Sequence, residues 1–386
     1  MLEFNTSQKQ IQKAVRAFAK GEFDKEKVLE LDKSGDYPQD LYVKAADLGL
    51  IGIHFPEDYS GGGMGLFEQA LVAEEMCAVD SSLGITLGMA SYGAEFILRF
   101  GSPDQKKALL PGVAEGRFRC GSAITEPGNG YDISKISTVA VKNKGNYTIT
   151  GRKTHVVNGG NAGFYMVLCQ TDPTTVPLTS GFSLFIVEAE KKGVTVESSG
   201  QRLGLNMLSS ATLDFDSVEV PSTNLIGDLG KGYDYVQAFL MESRMLAAAQ
   251  AVGLARGAYE RALAHIKARE QFNRPIAAFQ ALRHKIADMA TTITLARLVT
   301  YDAARRFDLN ICDASTACLA KTAACKAAMT VSDDAVQLLG GYGYMREYEV
   351  EHFYRDAKML EVRDGSPYLL KDIIADSEIG KLKARK

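Results

Sequence analysis

Asn146-Tyr147-Thr148-Ile149-Thr150-Gly151-Arg152-Lys153-Thr154-His155-Val156-Val157 is the stretch on which the reading of the fold turns. It is rich in Thr, Ile, Val and Tyr, which fit a pleated, half-buried surface, and Asn158-Gly159 follows it as a turn signal. Phe164 to Gln170, Ser183 to Glu188 and Ala211 to Val220 have the same texture, with an apolar period of two between Phe118 and Asp228. On either side the period is helical. Leu66 to Val79 carries apolar residues at short helical intervals, as does Tyr92 to Phe100 before Gly101 stops it. After Gly232, the residues Leu282, Ile286, Met289, Ile293 and Ala296 draw one stripe along a long helix. The predicted fold is α+β: an N-terminal helical domain over 1–117, a middle antiparallel β domain over 118–228 and a C-terminal four-helix bundle over 229–386. A Rossmann-type dehydrogenase is disfavoured, because strands do not alternate with helices and no Gly-x-Gly-x-x-Gly turn is visible. Gly61-Gly62-Gly63-Met64-Gly65 has no strand before it and no Lys-Ser/Thr after it, so it reads as a connection rather than a phosphate cradle.

Composition narrows the function. With 386 residues, 46% of them hydrophobic, the chain can bury a large core. A net charge of -3 offers no basic field for nucleic acid or an anionic membrane. No apolar run approaches the roughly 20 residues of a membrane span, and the first residues lack a leader pattern, so a soluble cytoplasmic protein is expected. The six cysteines contain no Cys-x-x-Cys pair and sit among apolar neighbours, as buried reduced thiols do. The five histidines show no ligand spacing, so no metal site is expected.

Four segments carry chemistry. Ala123-Ile124-Thr125-Glu126-Pro127-Gly128-Asn129-Gly130-Tyr131-Asp132 is followed by Gly151-Arg152-Lys153-Thr154-His155-Val156-Val157-Asn158-Gly159. Arg269-Glu270-Gln271-Phe272-Asn273 comes next, with Phe279-Gln280 after it. Gln337-Leu338-Leu339-Gly340-Gly341-Tyr342-Gly343-Tyr344 then leads to Arg355-Asp356-Ala357 and Asp364-Gly365-Ser366. In this order, and over essentially the whole chain, they resemble the acyl-CoA dehydrogenase family. The resemblance implies FAD as cofactor and an acyl-CoA thioester as substrate, with an electron-transferring flavoprotein as acceptor.

Carried over residue by residue, the resemblance places Ile124, Thr125, Tyr131, His155 and Val157 against the flavin. It places Arg269, Gln271, Phe272, Gln337, Gly340 and Gly341 on the phosphates and adenine of a neighbouring subunit's FAD, which implies a homotetramer built as a dimer of dimers. Ser366 and Tyr368 complete the cofactor set, and Ser91, Tyr131, Leu240, Ser243, Arg244 and Gly365 form the substrate set. Three departures stand out. Tyr131 replaces a serine, and His155 and Val157 replace the family's Trp and Thr. Val157 cannot donate a side-chain hydrogen bond, although its backbone N–H can, so flavin binding with altered reactivity is expected. His155 reads equally as a space-filling strand residue or a tuning group.

The family's catalytic glutamate is here Asp364. It is expected to remove the proton α to the thioester carbonyl, with an inert helix-capping aspartate as the competing reading. Glu242, beside Arg244 on a helix, is a weaker candidate base, because it lies one residue before the family's alternative position. Losing a methylene draws the carboxylate back by roughly 1 to 1.5 Å, and such a displacement can cost about a hundredfold. An α-branched or alicyclic acyl-CoA is therefore expected, specifically cyclohexanecarboxyl-CoA giving cyclohex-1-ene-1-carboxyl-CoA. Arg363, where the family has an aromatic residue, also alters the acyl end, and Ala90-Ser91-Tyr92 carries no acid for the diene-forming chemistry of some alicyclic relatives. A nitroalkane-oxidising flavoenzyme and a non-catalytic or carrier-protein-linked flavoprotein are the alternatives.

Overall fold

The structure, a computed structural model, describes residues 3–130 and 132–380; Tyr131, placed above in both ligand sets, lies outside them. Seven α-helices come first: α1 (Thr6–Glu22), α2 (Lys25–Ser34), α3 (Gln39–Asp47), α4 (Leu66–Val79), α5 (Ser81–Gly88), α6 (Ala94–Phe100) and α7 (Pro103–Ala114). The glycine run before α4 is a connection, as expected. Asp308 accepts hydrogen bonds from the N–H groups of Leu66 (2.8 Å) and Phe67 (2.9 Å), so a carboxylate of the chain itself fills that helix start. A Cβ at Gly65 would lie 2.6 Å from the Asp308 carboxylate, so only glycine lets the two approach.

One eight-stranded sheet follows: β1 (Arg119–Ala123), β2 (Val139–Asn143), β3 (Asn146–Val157), β4 (Ala162–Gln170), β5 (Phe182–Glu188), β6 (Val194–Ser198), β7 (Ser210–Pro221) and β8 (Leu225–Ile226). Its path runs β6-β7-β3-β1-β4-β5-β8, with β2 paired to β3 and β4. Pairing is antiparallel except that β1, and β2 at one residue, run parallel to β4. Alternate residues Tyr147, Ile149, Phe185, Val187, Leu213 and Phe215 fill one core of the sheet. Val157 instead belongs to the core of the helical bundle, with Met89 and Leu205, so the last residue of β3 faces the helices.

The chain then forms α8 (Gly232–Ala268), a small hairpin β9 (Glu270–Gln271) and β10 (Arg274–Pro275), α9 (Gln280–Asp308), α10 (Ala314–Leu339), α11 (Val350–Val362) and α12 (Pro367–Ile379). Along α9 the expected stripe is buried at Met289, Ile293 and Ala296, and Leu282 and Ile286 pack against the same core. Helices α8 to α11 form the bundle, and α12 lies on α10. Asp356 of the Arg-Asp-Ala motif joins the layers: it accepts from Ser81 (2.7 Å) and Ser82 (2.5 Å) on α5 and from the Leu205 N–H (2.8 Å). Among the described residues, no helix is long and apolar enough to cross a membrane, and no group of His, Cys, Asp and Glu is arranged to hold a metal ion. All six cysteines are free; Cys312 is half-buried and the other five are buried.

Candidate active site

Asp364 follows α11 in the left-handed conformation (φ 59°), and Gly365 continues at φ 116°. A non-glycine residue there is uncommon, and aspartate is among the few that tolerate it. The turn swings the carboxylate inward, leaving its side chain 2% exposed. Oδ1 accepts from the Tyr92 hydroxyl at 2.6 Å. Oδ2 accepts from Ser243 Oγ on α8 at 2.6 Å and from Arg363 Nε at 2.9 Å. Arg244 Nε donates to the Asp364 main-chain carbonyl at 2.9 Å, and buried Lys321 on α10 donates to the Gly365 carbonyl at 2.9 Å. Burial alone would raise the proton affinity of Asp364; the Arg363 and Lys321 charges, with the bonds from Ser243 and Tyr92, outweigh it and hold the carboxyl below its usual range. Burial and the Asp364 charge in turn push the Tyr92 phenol well up, so it stays a donor.

The helix-capping reading of Asp364 does not survive: Ser366 caps α12, its Oγ accepting from the Leu369 N–H at 3.3 Å. Glu242 is also committed elsewhere, in a two-bonded pair with Arg99 (2.7 and 2.9 Å). Ser91 is buried, and its hydroxyl donates to Glu95 (3.2 Å), whose Oε1 lies 3.3 Å from His54 Nε2. Leu240 packs in the apolar cluster that includes Phe239 and Phe96. Tyr92 rests edge-on to Phe239 with ring centroids 5.0 Å apart, and Phe96 stacks on Phe239 at 4.4 Å.

The end of β3 reaches the same place. Asn158 Nδ2 donates to the Met89 carbonyl (2.8 Å) and the Cys120 carbonyl (2.7 Å), and Met89 Sδ lies against Nη1 of Arg363. Thr125 is tied in through its carbonyl, which accepts from the Thr154 N–H at 2.9 Å. The following Glu126 is clamped by buried Lys153 (2.9 Å) and by Ser137 and the Thr138 N–H. Against the upward push of burial, these contacts hold its carboxyl at about 2. His155 is exposed, at φ 52°, where the β3–β7 register slips, so it fills no space in the core.

The remaining cofactor candidates gather at another, exposed place. Arg269 lies over the Tyr342 ring (5.7 Å), next to the Gly340–Tyr344 turn. Phe272 and Tyr344 are 85% and 86% exposed, and Gln271, Gln337, Gly340 and Gly341 are exposed too. Tyr368 also stands on the surface. Sequence reasoning left Tyr92 and Lys321 out of the site, and it noted Arg363 only as a departure from the family's aromatic. Lys321 carries a local signal, a lone charge in the run Ala317 to Cys325; Arg363 is marked only by its place beside Asp364, and nothing local marks Tyr92.

A site of this kind, a buried carboxylate where two helical units meet a β sheet, defines a class. Models of the acyl-CoA dehydrogenase N-terminal, middle and C-terminal domains match residues 5–117, 121–218 and 230–379. The chain belongs to the acyl-CoA dehydrogenase family: it is an FAD-dependent oxidoreductase acting on CH–CH donors. It is 37% identical over 96% of its length to an acyl-CoA dehydrogenase of Bacillus subtilis (strain 168), covering 97% of that protein. It is 36% identical over 98% of its length to the cyclohex-1-ene-1-carbonyl-CoA dehydrogenase of Syntrophus aciditrophicus (strain SB), covering 91% of that protein. Among solved structures, butyryl-CoA dehydrogenase from Megasphaera elsdenii superposes with a TM-score of 0.94 at 32% identity, over 98% of this chain and 100% of that one.

The cofactor fits what the chain offers. Ser122, opposite Val157 in the β1–β3 register, has a buried hydroxyl with no partner among the described residues, as does nearby Ser209. Two unpaired hydroxyls flanking the end of β3 suit a polar-edged ring system.

Proposed function

We propose that this dehydrogenase acts on an α-branched or alicyclic acyl-CoA, with cyclohexanecarboxyl-CoA as substrate and cyclohex-1-ene-1-carboxyl-CoA as product. The observation that carries the reading is the short, immobilised carboxylate of Asp364. Three side-chain donors and a braced main chain hold it in place, so it cannot swing out to make up the missing methylene. The α-carbon has to come to it, as a ring carbon bearing the thioester can. The rings of Tyr92, Phe239 and Phe96 wall this region with apolar surface. The Syntrophus relative, named for a ring thioester, supports the same substrate class.

FAD, when bound, supplies the hydride acceptor. Asp364 takes the α-proton: the Cα–H bond breaks, an O–H bond forms, and the electron pair becomes the new Cα–Cβ π bond as the β-hydride departs. Arg244 and Lys321 hold the carbonyls of the turn that presents the carboxylate. We assign Ile124, Thr125, His155, Val157, Ser366 and Tyr368 to the cofactor of the same subunit. Arg269, Gln271, Phe272, Gln337, Gly340 and Gly341 are assigned to a neighbour's cofactor in a dimer of dimers. Their exposure in the single chain, with the bare rings of Phe272 and Tyr344, supports that assignment. Family membership supports an electron-transferring flavoprotein as acceptor.

The test is anaerobic mixing of the yellow holoenzyme with cyclohexanecarboxyl-CoA and with straight-chain acyl-CoAs, following the oxidised-flavin band. Fast bleaching by the ring thioester alone is expected; equal or faster bleaching by linear thioesters would refute the substrate assignment.

A further inference from the structure

The two oxygens of Asp364 are not equivalent. Oδ2 is engaged by two donors from separate elements, Ser243 Oγ on α8 and Arg363 Nε. Among the described residues, Oδ1 has Tyr92 as its one donor. A carboxylate oxygen offers two acceptor sites, so Oδ2 is saturated and Oδ1 keeps a free lone pair. We infer that Oδ1 is the oxygen that takes the α-proton, and that Tyr92 is the positioning residue that aims it.

The inference rests on the reading of Asp364 as the base. Tyr92 lies in the short connection between α5 and α6, whereas the anchor Ser243 belongs to the long helix α8. The carboxylate is thus pinned at Oδ2 by the bundle and turned about that pin by the phenol. The charged and titratable groups facing it are Arg363 from its own turn, Arg244 from α8, Lys321 from α10 and Tyr92 from the N-terminal unit; Cys318 and Cys325 lie behind them. The Tyr92 hydroxyl donates to the charged form of Asp364, so removing it raises the carboxyl's proton affinity as well as loosening its aim.

The experiment separates proton removal from hydride transfer. Phenylacetyl-CoA has α-hydrogens but no β-hydrogen to give up. Deuterium uptake at its α-carbon, in D2O with the holoenzyme, is followed by mass spectrometry against pH. Exchange should vanish in Asp364→Asn; undiminished exchange there would overturn the base assignment itself. With Asp364→Asn inert, Tyr92→Phe should move the acidic limb up by about half a pH unit or more and slow the plateau by about tenfold. 3-Fluorotyrosine placed at position 92 keeps the shape, strengthens the donor and should move the limb down. A limb that stays put in both variants would overturn the role of Tyr92 while leaving Asp364 as the base.

Discussion

The guanidinium Nε of Arg363 lies 2.9 Å from Oδ2 of the next residue along the chain, Asp364, in a pair almost closed to solvent. Against the upward push of burial, this charge, with Lys321 and the bonds from Ser243 and Tyr92, holds the carboxyl below its usual range. With Asp364 as the proposed base, only its ionised form can accept the α-proton, so activity in the native enzyme should persist below the usual carboxylate range. In Arg363→Gln the carboxyl should rise, and the loss of activity on acidification should begin at correspondingly higher pH. The pH profile of anaerobic flavin reduction reads this directly.

Restoring the methylene should exchange one substrate preference for another. Asp364→Glu extends the carboxylate by roughly 1 to 1.5 Å. Flavin reduction by straight-chain thioesters should quicken by about tenfold, and reduction by cyclohexanecarboxyl-CoA should slow by a similar factor. Single-turnover rates with the two thioesters, measured side by side, decide it. Parallel changes with both would mean that the length of the base does not select the substrate.

The buried Lys153–Glu126 pair should matter for folding more than for chemistry. Lys153→Met leaves Glu126 buried without its cation and should cost about 3 to 5 kcal/mol, seen as a lower urea midpoint and reduced flavin content. The native Glu126 carboxyl stands at about 2, against the ordinary glutamate value of 4.5. Its contribution is therefore complete above about pH 4.5 and disappears as the pH falls through about 2. Acid titration of stability should flatten over this window in the Lys153→Met variant.

The exposed rings of Phe272 and Tyr344 should disappear into an assembly. Phe272→Asp combined with Tyr344→Ser should lower the mass seen by light scattering and release FAD, with circular dichroism showing the helices intact. A variant of native mass and full flavin content would argue against a shared cofactor site.

Local periodicity carried much of the fold. The run that reads as a strand, Asn146 to Val157, is β3, and Leu66 to Val79 is α4, because apolar spacing along a chain is imposed by the face it buries. Where that signal fails, strands were missed. All five residues of β1 are buried and four of the five in β6 are exposed, so neither alternates; each exists because a neighbouring strand pairs with it. The motifs that carry the family were legible too, with Asp364 standing where the resemblance puts a glutamate. What the sequence by itself determined is thus the α, β, α order, the family and the identity of the short carboxylate. Only the tertiary structure decided what surrounds it. Tyr92 meets Asp364 across 272 positions of chain and Ser243 across 121, and Lys321 reaches Gly365 across 44. These contacts arise where α8, α10 and the α5–α6 connection pack around one turn, and no local pattern encodes which side chains that packing brings within 3 Å.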